Sequence, residues 1–431
     1  MKKAAALAVL AVIAFFAVVF STFYGINDTK ATQNSESKSK IKLTFMNSWG
    51  GYDTKASVVE QLFDEFQEKE KNTEIVNQTL SGDDFLPTIK EKFATGSQPD
   101  VFGLWPGSDI RTLIKAGKVA DLTNLITSDP KWYNSFDTSM WPQVMQNGKI
   151  YGLPVEITFE GLFINKDLFD RYNVKVPENY EDLKKAIVTF KNNNIIPIAY
   201  NCKPEGSYLY QNIVMSLDGK NVENPFINGK IRDSYIKAMY IMRELRELGA
   251  FPNDNECFTM ESNARDDLFL QKKAAMIVQG SWFVDKCKTD TVELVPFPRM
   301  TENSPNAAVY CLGCGTFYIS QKAWNDPVKK EAAIKLLRFL TSKEACEKLA
   351  VQSDMISCVK LDESKIKYNK LTKSGIKMVN DASVLVGAPD SYITRSVWES
   401  VIIRNFPDML CNKISPEELW NMAIEAGAEE K

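Results

Sequence analysis

Residues 148–169 (GKIYGLPVEITFEGLFINKDLF) constrain the fold of this chain more than any other stretch. Their first part holds an Asn147-Gly148 turn, a short apolar run and Pro154, and residues 161–165 read as a buried strand. Between these parts stand Glu156, Thr158 and Glu160. Polar groups left without partners inside a core cost several kcal/mol each. A segment that leaves one core, crosses a gap and enters a second satisfies them. The stretch therefore predicts two lobes, a crossing between them, and a site in the gap.

The rest of the composition is compatible with that division. A chain of 431 residues exceeds one ordinary core and suits two lobes of roughly 150–200 residues each. Apolar residues make up 44% and charged residues 25%, as in globular proteins generally. The net charge of −3 leaves no electrostatic footprint for nucleic acid, and no such partner is expected. Histidine is absent, which removes Ser-His-Asp and Cys-His catalysis, HExxH zinc sites and imidazole acid–base chemistry together.

At the N-terminus Lys2-Lys3 precede the uncharged apolar residues 4–20. This run is long for a signal-peptide core and short for a membrane span. Residues 1–21 are thus either a signal peptide, cut near Val19-Phe20-Ser21, or an N-terminal membrane anchor, with residues 22–40 as a polar tether. No cysteine follows the apolar run until Cys202, so lipid attachment at a processed N-terminal cysteine is ruled out. Of the eight cysteines, Cys311 and Cys314 form a CxxC, but with apolar flanks and no second CxxC they read as small buried residues. No cofactor or metal is expected.

Strands at 41–46, 73–79 and 101–104 alternate with helices at 56–70 and 84–95, which predicts an α/β lobe with a mainly parallel sheet. Ligand crevices in such sheets lie beyond the carboxyl ends of the strands, where Trp49 and Trp105 fall. After the crossing come a helix at 177–193, a strand at 195–200, helices at 231–248 and 262–270, and a strand at 274–278 that ends in Gln279-Gly280-Ser281-Trp282. Residues 292–297 read as an edge strand or connector. Residues 307–320, broken by Gly313 and Gly315, read as a return crossing, and 355–361 as a third. Helices are expected at 327–340, 342–351, 374–385 and 391–405. A last one starts at Ser415-Pro416-Glu417-Glu418, with a cap, a proline in the first turn and acids at the positive dipole end. The expected lobes are 41–156 with 312–356, and 157–311 with 357–431.

Several ordered motifs carry a resemblance. They are Pro99-Asp100-Val101, residues 148–154 (GKIYGLP), residues 165–169 (NKDLF), Lys273-Ala274-Ala275-Met276 with Gly280-Ser281-Trp282, Pro296-Phe297-Pro298, residues 313–320, and residues 332–344 (AAIKLLRFLTSKE). In this order, over roughly residues 41–425, the chain resembles the family-one extracellular solute-binding proteins, capture subunits of ABC sugar importers. The resemblance implies a two-lobed, periplasmic-binding-protein-like α/β fold with three hinge crossings, no catalysis, an oligosaccharide ligand, an ABC permease partner and a monomeric state. It further implies a place at the outer face of the cell membrane, anchored or secreted.

The resemblance also implies a candidate site of Trp49, Trp105, Glu156, Thr158, Trp282, Asp390 and Trp398, to which the sequence adds Asp53, after the first strand-end loop, and Gly313, in the return crossing. A pyranose offers an apolar C–H face that pairs with indole and a rim of hydroxyls that pairs with Asp, Glu and Asn. Trp282 matches the family's stacking position; for Trp49, Trp105 and Trp398, packing in the core is the competing reading. Asp53 and Asp390 read equally as helix caps. Gly313 reads as a point of close backbone approach, since no Lys-Ser/Thr follows to make a phosphate loop. Glu156 and Glu160 suggest a glycosidase pair, but in an extended strand they stand about 13 Å apart, beyond the roughly 5–9.5 Å that chemistry needs. An extracellular carbohydrate-active enzyme and a binding protein for a polyamine, peptide or metal chelate remain as alternatives.

Overall fold

The computed structural model describes residues 40–428, apart from Tyr52 and residues 81–83. The expected signal peptide or anchor, and the tether up to residue 39, lie outside the described residues. Strand β1 (Ile41–Met46) buries alternate side chains and leads to α1 (Ala56–Lys69), whose Val58, Val59, Leu62, Phe63 and Phe66 form one apolar face. Then follow β2 (Thr73–Asn77), α2 (Phe85–Thr95), β3 (Val101–Gly103), α3 (Ser108–Lys115) and β4 (Leu153–Pro154).

One residue later begins the longest strand, β5 (Glu156–Asn165), buried at every position. Beyond it lie α4 (Tyr180–Asn192), β6 (Ile196–Ile198), α5 (Ser207–Asp218), α6 (Asp233–Glu247), α7 (Ser262–Leu270), β7 (Ala274–Gly280), β8 (Val292–Val295) and β9 (Ala307–Leu312). The chain continues through β10 (Thr316–Ile319), α8 (Pro327–Leu340), α9 (Lys343–Ser353), β11 (Ile356–Ser357), α10 (Lys370–Asp381), β12 (Val384–Val386) and, last, α11 (Pro416–Glu425).

Two sheets result. The first has five strands in the order β2-β1-β3-β10-β4; the second has β12-β9-β5-β7-β6, with β8 and β11 also paired to β5. Each is covered on both faces. In the first lobe, Phe45, Phe63 and Leu336 pack on one face, and Phe85, Phe102 and Tyr318 on the other. In the second, Leu162, Tyr210 and Trp420 fill one core, and Phe163, Phe269 and Phe283 the other. The chain passes between sheets at Val155, between β4 and β5, and again at residues 313–315, between β9 and β10. After α9, packed in the first lobe, β11 joins β5 in the second sheet.

The α/β, two-lobed class agrees with the sequence reading, and four details differ. The sheets are mixed rather than mainly parallel: β1 pairs in parallel with β2 and β3, but β10 runs against β3, and β5 runs against β7, β8, β9 and β11. The reason is the crossings, since a chain that enters and leaves a lobe contributes strands of opposite sense. Glu156, Thr158 and Glu160 do not span a gap; they belong to β5 itself, at alternate positions of one strand face. The expected helix at 374–385 stops at Asp381, and residues 384–386 instead extend the sheet beside β9. The helix expected over 391–405 starts at Arg395, after a 3-10 turn at Pro389–Tyr392, and widens to a π-helical stretch at Trp398–Ile403.

Candidate binding cleft

Where the lobes meet, β5 presents Glu156 to the first lobe. Glu156 Oε2 accepts from the Trp49 indole Nε1 (3.3 Å) and the Gly315 amide (3.1 Å). Oε1 lies 3.4 Å from Lys55 Nζ, which is also 3.1 Å from Asp53 Oδ1. Burial works against the Lys55 ammonium, but the carboxylates of Glu156 and Asp53 outweigh it and hold its pKa above the ordinary value. Asp53 accepts from the Lys55 amide at 2.8 Å in the turn before α1 but does not cap the helix itself, whose N-terminus has no side-chain cap bond. The glycines explain themselves here: a Cβ on Gly313 would strike the Glu156 carboxylate, and one on Gly315 the Trp49 ring. Thr158 is turned to β9, donating to the Cys311 carbonyl at 3.2 Å.

A second group lies further along β5. Glu160 Oε2 accepts from Asn212 Nδ2 at 2.7 Å. Burial, then the nearby Asp390 carboxyl, pushes the Glu160 pKa up to about 8, against the opposing Asn212 bond. Asp390 is raised as well, by burial, although Arg395 pulls it the other way. Its backbone amide donates to Gln211 Oε1 at 3.2 Å. Arg395 reaches across to the first lobe, with Nε 2.6 Å from Asp109 Oδ2 and its guanidinium over the Trp105 ring. Trp105 meets the Phe85 ring edge-on with one side. In this closed arrangement it serves lobe-to-lobe contact.

Trp282 is different. At 38% exposure it is the most open of the eight tryptophans. It stands on the turn after β7, its ring 5.4 Å from that of Tyr208 on α5 and its Nε1 2.9 Å from Gln279 Oε1. A cavity of about 20 Å³ between the lobes is lined by Lys55, Glu156, Trp282, Asp285 and Asp354 among others. The first-lobe residue Thr54 donates to Asp285 at its side, at 2.7 Å. The structure thus brings Trp282, Glu156 and, through Lys55, Trp49 and Asp53 to one place.

Trp398 is not among them. It is 1% exposed, stacked on Tyr210 in the second-lobe core, because the helix that carries it turns that face to α5 rather than to the cleft. Trp49 is also buried, at 2%, and offers the cleft its hydrogen bond to Glu156 rather than an open ring face. The sequence reading missed Lys55, Asp109, Tyr208, Asn212, Gln279 and Arg395. Asp109 had a usable signal, in the first turn of the helix after the β3 strand end. Arg395 had none, since only the folded chain sets it beside residues almost three hundred positions earlier.

A cavity of about 20 Å³ holds roughly one water. Glu156, Glu160 and Asp109 are engaged with Lys55, Asn212 and Arg395 respectively. Two cored lobes joined by adjacent crossings, with polar groups and one open indole where they meet, have the architecture of a hinged solute-binding protein. The comparisons agree: the model of the bacterial extracellular solute-binding protein family matches residues 50–345, and the chain belongs to that family. It is similar to the multiple sugar-binding protein of Streptococcus mutans, 23% identical over 75% of this chain and 76% of that one. It is 26% identical to the melibiose/raffinose/stachyose-binding protein of Bacillus subtilis, over 49% of this chain and 50% of that one. Among solved structures, a chitin oligosaccharide binding protein matches with a TM-score of 0.78 at 19% identity, covering 90% of this chain and 98% of that one. A protein solved in work on xylan utilization by Caldanaerobius polysaccharolyticus matches at 0.75 and 24%, covering 90% and 100%.

Proposed function

We propose that this chain captures an oligosaccharide between its two lobes at the outer face of the cell membrane and delivers it to an ABC permease. It acts as a monomer held by, or released from, its N-terminal segment. The observation that carries the reading is the open indole of Trp282 on the same cavity as Glu156. An indole face and an acceptor-rich rim suit a ring with an apolar face and hydroxyl edges. The sugar-binding names of the relatives point the same way. Trp282 is the stacking residue; Glu156, Asp53 and Lys55 take hydroxyls once the lobes separate, with Trp49 behind them.

Calorimetry of the purified protein with raffinose, stachyose, xylo-oligosaccharides and chito-oligosaccharides tests this. The expected result is saturable binding of at least one neutral oligosaccharide, with an affinity unchanged between low and high salt. Binding of a polyamine alone, weakened by salt, overturns it, as does any turnover of the sugars.

A further inference from the structure

The Trp282 indole is held from behind by a chain of buried polar groups. Its Nε1 donates to Gln279 Oε1 at 2.9 Å, and the other end of that amide, Nε2, donates to Asp266 Oδ1 at 3.1 Å. Gln279, Asp266 and Arg265 are each at least 97% buried. An amide has a donor end and an acceptor end, whereas a carboxylate only accepts. Asp266 therefore dictates which end of Gln279 faces the indole. Asp266 is itself fixed by Arg265 Nη2 at 2.7 Å and Lys286 Nζ at 2.8 Å. Gly280 completes the seat: its backbone φ of −109° suits any residue, but a Cβ there would clash with the Trp282 ring at 2.3 Å. Glycine is required at 280 for the ring and not for the backbone.

We propose that Gln279, oriented by Asp266, is a positioning residue that fixes the plane of the Trp282 indole in the cleft and so sets the affinity of the site for the ring it stacks on. The proposal rests on the reading of Trp282 as a stacking residue. A hydrogen bond of this kind is a modest contribution, worth about threefold to tenfold in affinity when lost. Its value is geometric: without it the indole keeps its contact with Tyr208 but is free to turn about its side-chain torsions.

The test uses the full chain in mild detergent, with the indole N–H resonance of Trp282 identified by its loss in Trp282→Phe. Gln279→Leu removes the acceptor. Gln279→Glu keeps an acceptor for the indole while placing a second carboxylate against Asp266. A purely structural role ranks the glutamate variant as the more damaged of the two. Positioning ranks them the other way: the indole resonance and its slow solvent exchange persist in Gln279→Glu and are lost in Gln279→Leu. With stachyose and chitotetraose as probes, Gln279→Leu weakens whichever one the unsubstituted protein binds by about threefold to tenfold. An indole signal unmoved in Gln279→Leu, or moved with no loss of affinity, overturns the proposal. If the unsubstituted protein binds neither probe, the capture reading loses its support, and the indole signal still decides the role of Gln279.

Discussion

Glu160 sits on the same face of β5 as Glu156, buried, with one amide bonded to it and burial against its charged form. Its carboxyl, ordinarily near 4.5, is pushed up to about 8. Between those values the folded chain keeps a proton that the unfolded chain has lost, so unfolding releases it. Stability therefore falls as pH rises through that window, by up to about 1.4 kcal/mol per pH unit, and levels off above it. Glu160→Gln is expected to flatten the melting temperature between pH 5 and pH 8, measured by calorimetry. Trp282 is the opposite case, an open ring whose loss costs the fold little. Trp282→Ala is expected to weaken oligosaccharide binding at least about tenfold. The melting temperature of the empty protein should stay within ~2 °C. An unchanged dissociation constant would remove the stacking role.

Between β9 and β10 the chain runs Gly313-Cys314-Gly315, one turn of backbone against the Glu156 side chain. These two glycines do not serve left-handed backbone; they make room for a carboxylate and an indole. Gly313→Ala is expected to displace Glu156 from Lys55 and cost ~1–3 kcal/mol, as overpacking does elsewhere. Thermal melting checks the loss, and a parallel loss of affinity would tie the crossing to the site. β5 shows how one element serves both ends: its Ile157, Phe159 and Phe163 pack into cores while Glu156, Thr158 and Glu160 take the alternate positions.

Among the described residues, contacts between the lobes include Arg395 with Asp109, Arg111 with the Ser391 carbonyl, Thr54 with Asp285, and Glu156 with Trp49 and Lys55. Asp109 is also paired with Lys90 at 2.9 Å. The Arg395–Asp109 pair spans the two lobes, so removing Arg395 takes away a contact of the closed arrangement while Asp109 keeps Lys90. Arg395→Ala is expected to shift the empty protein towards an open form, seen as a larger radius of gyration in small-angle scattering. A ligand that touches both lobes shifts it back by its differential affinity for the closed state. An unchanged radius would mean that these contacts do not hold the lobes together.

Much of the fold was legible in the residues themselves. The strand–helix alternation of the first lobe, the passages near residues 155 and 313–315, and the strand ending at Trp282 follow from apolar periodicity and glycine placement, which are local in the chain. The sense of the strands was not legible, nor was the switch from helix to strand near Asp381, because both depend on which edge of a sheet lies open nearby. Of the tryptophans, sequence placed Trp49, Trp105 and Trp282 at strand ends alike. The tertiary structure alone separated the open ring of Trp282 from the packed Trp49 and the Arg395-covered Trp105, and withdrew Trp398 into a core. By itself the sequence determined an α/β chain of two cores without histidine chemistry. Which polar groups meet across the gap was decided only on folding, since Lys55, Glu156, Gln279 and Arg395 come from distant segments and their partners are set by packing rather than by spacing.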